Sequence, residues 1–270
     1  MTGLLEAVAA DLDRWRAEAA GPFVLGVCGA QGSGKSTLSQ GLADRLTGQG
    51  LRVATLSLDD LYLSHDRRAE LAIEVHPLFA TRGVPGTHDV AMGVRLLGDV
   101  KAGRDVVLPR FDKATDDPAP PDRWLAVEGP LDVLIFEGWC VGASAEPEAA
   151  LTEPVNALEV QRDPDGVWRR AVNTALAGPY ADLFARIDRL VLLAAPGFEV
   201  VERWRIEQEH DLRRRLETQA PDAGRAMSDA EVATFIQHYE RLTRHVLGTM
   251  PACADRVLRL DETRRLRDPA

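Results

Sequence analysis

The sequence predicts a doubly wound α/β fold, in which a parallel sheet is covered by helices on both faces. Three observations predict it. Five short apolar runs occur at residues 23–27, 51–58, 132–136, 189–194 and 256–260. Helical stretches separate them, and glycines follow the first run at once. Continuous apolar strands that alternate with helices belong to parallel sheets buried on both faces.

Taken in order, residues 4–19 keep helical periodicity and should form an accessory helix packed on the core. Acidic residues lie among the apolar ones of residues 1–20, which argues against a secretory leader. After the strand at 23–27, a helix should run from Lys35 to Leu46 and stop near Gly48 and Gly50, where a left-handed cap is cheap. Residues 51–58 give the second strand. Residues 108–112 read as a strand outside the central set, and 116–122, rich in Pro and Asp, as a loop. The runs at 132–136, 189–194 and 256–260 supply the remaining strands. Residues 197–217 read as one long arginine-rich helix. A second helix should start at Ser228, with Glu231 completing a capping box. The chain thus reads as a single domain over residues 1–270.

Composition narrows the function. Of 270 residues, 45% are hydrophobic and 27% charged, enough apolar material for a sizeable core and too much for global disorder. A formal net charge of −10 speaks against nucleic acid as a partner, because phosphate backbones need a basic face. The cysteines Cys28, Cys140 and Cys253 are odd in number and widely spaced, forming neither a disulfide framework nor a zinc ligand set. A reducing cytoplasm is therefore expected. No stretch approaches the roughly 20 apolar residues of a spanning helix, so no membrane partner is expected.

Gly29-Ala30-Gln31-Gly32-Ser33-Gly34-Lys35-Ser36 fits G-x-x-x-x-G-K-[ST] at every fixed position. Glycines let the backbone curl until successive N–H groups point into one concavity, and the following helix adds its positive end. Lys35 would supply charge to the β/γ-phosphate oxygens, and Ser36 a hydroxyl to Mg²⁺. With Thr37 on the same turn, residues Gly29 to Thr37 are the nucleotide-binding candidates, and the fold narrows to the P-loop NTPase type. The cofactors implied are ATP and Mg²⁺.

The acids select among P-loop proteins. Ser57-Leu58-Asp59-Asp60-Leu61-Tyr62 puts two carboxylates where the second strand ends, the edge at which open α/β sheets bind ligands. Asp59 or Asp60 would take a proton from an acceptor hydroxyl and help to order Mg²⁺; the competing role for each is a helix N-cap. Leu134-Ile135-Phe136-Glu137-Gly138-Trp139 closes the third strand on an acid, the Walker B pattern with Glu137 in place of Asp, and makes Glu137 a further Mg²⁺ candidate. A carboxylate there costs several kcal/mol unless paired or metal-linked. No N-K-x-D motif of a GTPase is present; the other lysines are Lys101 and Lys113. Between the acidic motifs, Arg82, His88, Arg110 and Lys113 are candidate donors to an anionic acceptor, for which arginine's fork is best suited. His88-Asp89 reads equally as a helix start, because Asp89 precedes an apolar-periodic stretch. On the 197–217 helix stand Arg203, Arg205, Arg213, Arg214 and Arg215. Arg203 and Arg205 lie about 200° apart and cannot face one way.

These segments together resemble the P-loop kinase group of uridine kinase, phosphoribulokinase and bacterial pantothenate kinase, and more closely the D-glycerate 3-kinases of plants with their bacterial and fungal relatives. The resemblance rests on Leu58-Asp59-Asp60-Leu61-Tyr62-Leu63, Arg82-Gly83-Val84-Pro85-Gly86-Thr87-His88-Asp89 and Pro109-Arg110-Phe111-Asp112-Lys113. It continues through Val127-Glu128-Gly129-Pro130, Phe136-Glu137-Gly138-Trp139, Trp204-Arg205-Ile206-Glu207-Gln208-Glu209 and Met227-Ser228-Asp229. It spans roughly residues 23 to 250, with Leu61 where the family often has Phe. It implies transfer of the γ-phosphoryl group of ATP to a small hydroxy acid, D-glycerate giving 3-phospho-D-glycerate. It also implies a helical lid with its following helix at 197–250, and substrate-side insertions on the P-loop core. The catalytic set implied is Lys35, Asp60, Asp59, Glu137 and a lid arginine, Arg205. Asp60, Tyr62, Arg82, His88, Asp89, Arg110, Asp112, Lys113 and Gln208 would line the acceptor side; Ser36, Asp59 and Glu137 would face the metal. The alternatives are a kinase for pantothenate, a nucleoside or a sugar acid, and an ATP-dependent module that acts on a partner protein.

Overall fold

A computed structural model of the chain describes residues 2–219 and 227–267. Five parallel strands form its central sheet: β1 (Phe23–Gly29), β2 (Val53–Ser57), β7 (Val133–Gly138), β8 (Arg189–Ala194) and β9 (Arg256–Arg259), in the order β2-β7-β1-β8-β9. All seven residues of β1 and all six of β7 are buried. Side chains alternate between the two faces of a strand, so such unbroken burial requires cover on both sides. The five strands expected for the central sheet all form, with ends shifted by at most two residues; β7 runs on through Glu137, which lies inside the strand.

Helices supply the cover. They are α1 (Thr2–Glu18), α2 (Lys35–Gly48), α3 (His65–Glu74), α4 (Val90–Lys101), α5 (Ala157–Arg162), α6 (Val167–Ala175), α7 (Ala181–Phe184), α8 (Phe198–Gln219) and α9 (Asp229–Thr249). The accessory helix α1 buries Leu4, Val8, Leu12 and Trp15 and packs against α2, where Arg45 pairs with Asp13 at 2.8 Å. Ser228 caps α9 and Glu231 returns the reciprocal bond at 2.7 Å. Among the described residues no helix is long and apolar enough to cross a membrane.

Two expectations are corrected. Residues 108–112 do not form one strand, because Pro109 has no N–H to continue a ladder. Instead β3 (Val106–Leu108) pairs antiparallel with β6 (Leu125–Val127), and β4 (Phe111–Asp112) pairs with β5 (Asp117–Pro118). The 116–122 segment therefore contains the return strand of a hairpin, followed by a 3₁₀ turn at Pro121–Arg123. This hairpin meets the acids that follow β2 at the C-terminal edge of the sheet, whereas α4 runs along the sheet to its opposite edge, where Lys101 pairs with Asp188 at 2.7 Å.

Candidate active site

The phosphate loop leaves β1 at Gly29 and enters α2 at Lys35. Gly32 (φ 76°) and Gly34 (φ 90°) adopt left-handed backbone that only glycine takes cheaply. The Ser33 N–H donates to the Ala30 carbonyl at 3.1 Å and tightens the turn. Ala30 and Ser33 are buried, whereas Ser36 and Thr37 are exposed on the first turn of α2. Gln31 Oε1 and Ser33 Oγ are buried without a partner. The first N–H groups of α2 have no partner within the helix and face the same concavity.

Glu137 stands beside this loop. The register aligns it with Val27 on one side and Ser57 on the other. Ser36 Oγ donates to Glu137 Oε1 at 3.0 Å, while Glu137 Oε2 is buried and unpartnered. An orphaned carboxylate oxygen next to a hydroxyl is a donor set suited to a hard cation that keeps its waters, so the residues fit Mg²⁺. Among the described residues no three acidic, histidine or cysteine side chains cluster as an all-protein metal site. A pocket of about 250 Å³ opens here, lined by Ser36, Gln40, Ser57, Asp60, Arg110 and Glu137 among others.

The paired acids leave β2 on a 3₁₀ turn, Leu58–Leu61, and Asp60 shows the capping role. Its Oδ2 caps the turn through the Ser57 N–H at 3.4 Å and pairs with Arg110 at 3.1 Å; its Oδ1 accepts from the Phe111 N–H at 3.2 Å. Burial raises the Asp60 pKa despite Arg110. Asp59 behaves oppositely. Burial pushes its carboxyl upward, but Lys113 and then Lys35 outweigh that and hold it down at about 2. Asp59 Oδ2 takes Lys113 at 2.7 Å and Oδ1 the Tyr62 hydroxyl at 2.9 Å. Each Asp59 oxygen thus has a partner, whereas Glu137 Oε2 has none. The two adjacent carboxylates are thus shifted in opposite directions.

The acceptor-side residues separate into two groups. Arg110, Lys113 and Tyr62 converge on the acids, as described. Arg82 pairs with Asp116, which also takes the buried Arg68 at 2.7 Å; the Arg82 guanidinium lies 5.6 Å from the Phe111 ring centroid. His88 is buried and stacks on Tyr62, with ring centroids 4.5 Å apart. The Tyr180 hydroxyl accepts from the Gly86 N–H at 3.0 Å and lies 2.5 Å from His88 Nδ1. Burial drives the His88 pKa down to about 3, so the ring is neutral. Asp89 caps α4 through the Met92 N–H at 2.8 Å, and Asp112 pairs with Arg123 at 2.9 Å. Those two carboxylates are occupied by the fold, so for them the structural role is the one seen.

On α8, Arg205 pairs with the buried Glu209, whose other oxygen accepts from the Met227 N–H at 3.1 Å. Arg203 turns the other way, to Glu262 at 2.9 Å. Arg213 donates to the Met227 carbonyl at 2.9 Å and Arg214 pairs with Asp211; the side chain of Arg215 lies outside the described residues. Gln208 is exposed and does not join the cluster of acids.

Comparisons with known proteins place the chain in a family. No protein-family model matches the chain. The uncharacterized kinase mug58 of Schizosaccharomyces pombe is 36% identical over 260 residues, covering 90% of this chain and 89% of that protein. The chloroplastic D-glycerate 3-kinase of Arabidopsis thaliana is 31% identical over 256 residues, covering 89% of this chain. The chain belongs to the D-glycerate 3-kinase family of P-loop kinases. It spans about half, 52%, of the length of its Arabidopsis relative. A solved family structure, D-glycerate 3-kinase from Cryptococcus neoformans, superposes with a TM-score of 0.79 at 26% identity, covering 98% of this chain and 96% of that one. Family membership makes the protein a small-molecule kinase.

Several side chains packed against the candidate residues were passed over by sequence reasoning. Tyr180 follows the Gly178-Pro179 break between α6 and α7, a turn signal with no chemical label. Arg68 and Tyr239 meet the Arg82 segment only through tertiary contact: the Tyr239 hydroxyl donates to the Arg82 carbonyl at 3.1 Å.

Proposed function

We propose that this kinase transfers the γ-phosphoryl group of ATP to the 3-hydroxyl of D-glycerate, with Mg²⁺ as cofactor. The observation that carries the chemistry is the Asp59–Asp60 pair, with opposed pKa shifts, next to Ser36 and Glu137. Similarity to plant and fungal D-glycerate 3-kinases supports the acceptor.

In this reading the concavity of Gly29 to Thr37 receives the nucleotide phosphates through backbone N–H groups, and Lys35 adds its charge. Ser36 and Glu137 hold Mg²⁺, which when bound neutralises phosphate charge. Asp60, with the more basic carboxylate, accepts the proton of the acceptor hydroxyl, a task suited to a raised pKa. Asp59 stays ionised and fixes Lys113 and Tyr62. Arg110 keeps free N–H groups beside its bond to Asp60 and, with Lys113, takes the acceptor carboxylate. Neutral His88, buried and stacked on Tyr62, supports that ring on the acceptor side. Arg205, oriented by Glu209, is the lid cation that counters charge in the transition state. The partner is thus a small molecule, and an overall charge of −10 is no obstacle when local cations meet the anion.

The test is ADP release from ATP–Mg²⁺ with D-glycerate, L-glycerate, pantothenate, uridine and no acceptor. The expected result is turnover dependent on D-glycerate, with 3-phosphoglycerate as product. Turnover with another acceptor alone would discard glycerate and keep the kinase.

A further inference from the structure

We infer that Arg264 is a positioning residue for the phosphate loop, clamping the Gly32 carbonyl from outside. The inference rests on the nucleotide reading above.

Arg264 lies 232 positions from Gly32 in sequence, on a turn just after β9. Asp261 builds that turn. Its Oδ1 accepts from the Thr263 N–H at 2.8 Å, the Thr263 hydroxyl at 2.8 Å and the Arg265 N–H at 2.9 Å. The Asp261 N–H donates in turn to the Arg265 carbonyl at 2.8 Å, and a bridge between Leu260 and Leu266 closes the turn. Within it Arg264 holds φ at 64°, the left-handed region that residues with a Cβ rarely adopt. That conformation needs an over-determined surrounding, and the guanidinium supplies one.

Arg264 Nε donates to the Gly32 carbonyl at 2.7 Å, and Nη2 pairs with Glu207 of α8 at 2.5 Å. Its Cζ stands 5.1 Å from the centroid of the Trp204 ring, a cation–π distance. Trp204 is itself buried, and its indole N–H donates to the Glu262 carbonyl at 2.8 Å. A Cβ on Gly32 would fall 2.6 Å from Trp204 Cβ, so loop and helix touch at the glycine. Phosphate loop, α8 and terminal turn therefore meet at one side chain.

The meeting has a chemical purpose. Peptides flanked by glycines rotate easily, and a Gly32 carbonyl turned into the concavity would set a partial negative charge against phosphate oxygens. The charge-assisted bond from Arg264 holds that carbonyl in place, and it is the stronger kind of hydrogen bond. The role is pre-organisation: Arg264 need touch no reacting atom.

The experiment measures ADP–Mg²⁺ binding to the full chain by calorimetry, together with steady-state kinetics, for the unaltered protein, Arg264→Ala, Arg264→Lys and Arg265→Ala. Arg265 is an exposed neighbour that carries the same charge. The expected result is about tenfold weaker ADP binding for Arg264→Ala. Arg264→Lys, which keeps the charge but not the planar fork, should fall between, and Arg265→Ala within about twofold of the unaltered chain. The KM for ATP should rise while the KM for the acceptor holds, a split that general loosening of the fold would not give. Unchanged ADP affinity in both Arg264 variants, or an equal loss in Arg265→Ala, overturns the clamp. Absence of ADP binding by the unaltered chain instead overturns the nucleotide reading beneath it.

Discussion

Replacing Lys113 with methionine tests whether the β4–β5 hairpin is fastened to the site through Asp59. The pair stands at 2.7 Å, and Lys113 is the largest influence holding the Asp59 pKa down against burial, from 3.8 to about 2. A depression of that size corresponds to about 2.4 kcal/mol of stability at neutral pH. That is the net of burial, which opposes it, and of Lys113, Lys35 and Tyr62, which share it. The lysine side chain is also 61% exposed, and solvent screening leaves about 1 kcal/mol for this contact. The sign follows from the order of the two values. The folded carboxyl is the stronger acid, so the contribution is full well above the unfolded value near 4 and falls to about half near pH 3. It vanishes as pH drops below about 2. Urea unfolding of the unaltered chain, Lys113→Met, Asp59→Asn and the double variant, at pH 7 and pH 3, gives the coupling directly. The expected coupling is about 1 kcal/mol at pH 7 and about half that at pH 3. The KM for the acceptor should rise several-fold in Lys113→Met with that for ATP unmoved. A coupling under about 0.3 kcal/mol at pH 7, within additivity error, or one that grows on acidification, would refute the reasoning.

Three further outcomes are expected. Asp60→Asn should lower kcat by about 10²–10⁴-fold. It should also abolish an acid limb displaced upward from that of an ordinary aspartate, because burial raises this pKa. Since burial disfavours the ionised form in the fold, the Tm of that variant at pH 7 should hold or rise; a large fall would assign Asp60 to structure. Gly83→Ala would place a Cβ 2.0 Å from the Tyr239 hydroxyl at φ 136°, and a loss of about 2–4 kcal/mol is expected in thermal unfolding. Gly48→Ala, whose Cβ meets nothing, is the control. Burial pushes the Cys28 thiol up to about 12 and that of Cys140 well above its usual value, while Cys253 is exposed. A thiol–disulfide reagent at pH 8 should therefore titrate one cysteine in the folded chain and three in denaturant.

The strands were legible because they are buried on both faces, and continuous apolar runs carry that condition in their composition. The phosphate loop and Glu137 were legible for a different reason. Their chemistry demands fixed residue types at fixed spacing beside a strand, and Ser36 and Glu137 do meet at 3.0 Å. The acceptor side was only partly legible. Arg82 and Arg110 looked alike in sequence as donors, but Asp116 claims one and Asp60 the other, a distinction made by the fold of a hairpin that Pro109 obscured. Asp89 shows the converse, because its position before an apolar-periodic stretch already announced the cap that it forms. Arg264 was invisible: nothing near it is apolar-periodic or glycine-rich, and its partner lies 232 residues away.

The strand order has a consequence for how the molecule acquires activity. β1, which carries the phosphate loop, is central, and its neighbours arrive late: the Val24 N–H bonds to Asp188 across 164 residues and Ser36 to Glu137 across 101. Closing such long loops delays the reward of each contact, so folding of this topology is slow relative to helical chains. During synthesis the loop motif emerges first, and its flanking strands, its acid and the Arg264 turn all come from chain made afterwards. Catalytic competence is accordingly a property of the last stages of folding, and refolded activity should report completion of the sheet more faithfully than helix content does.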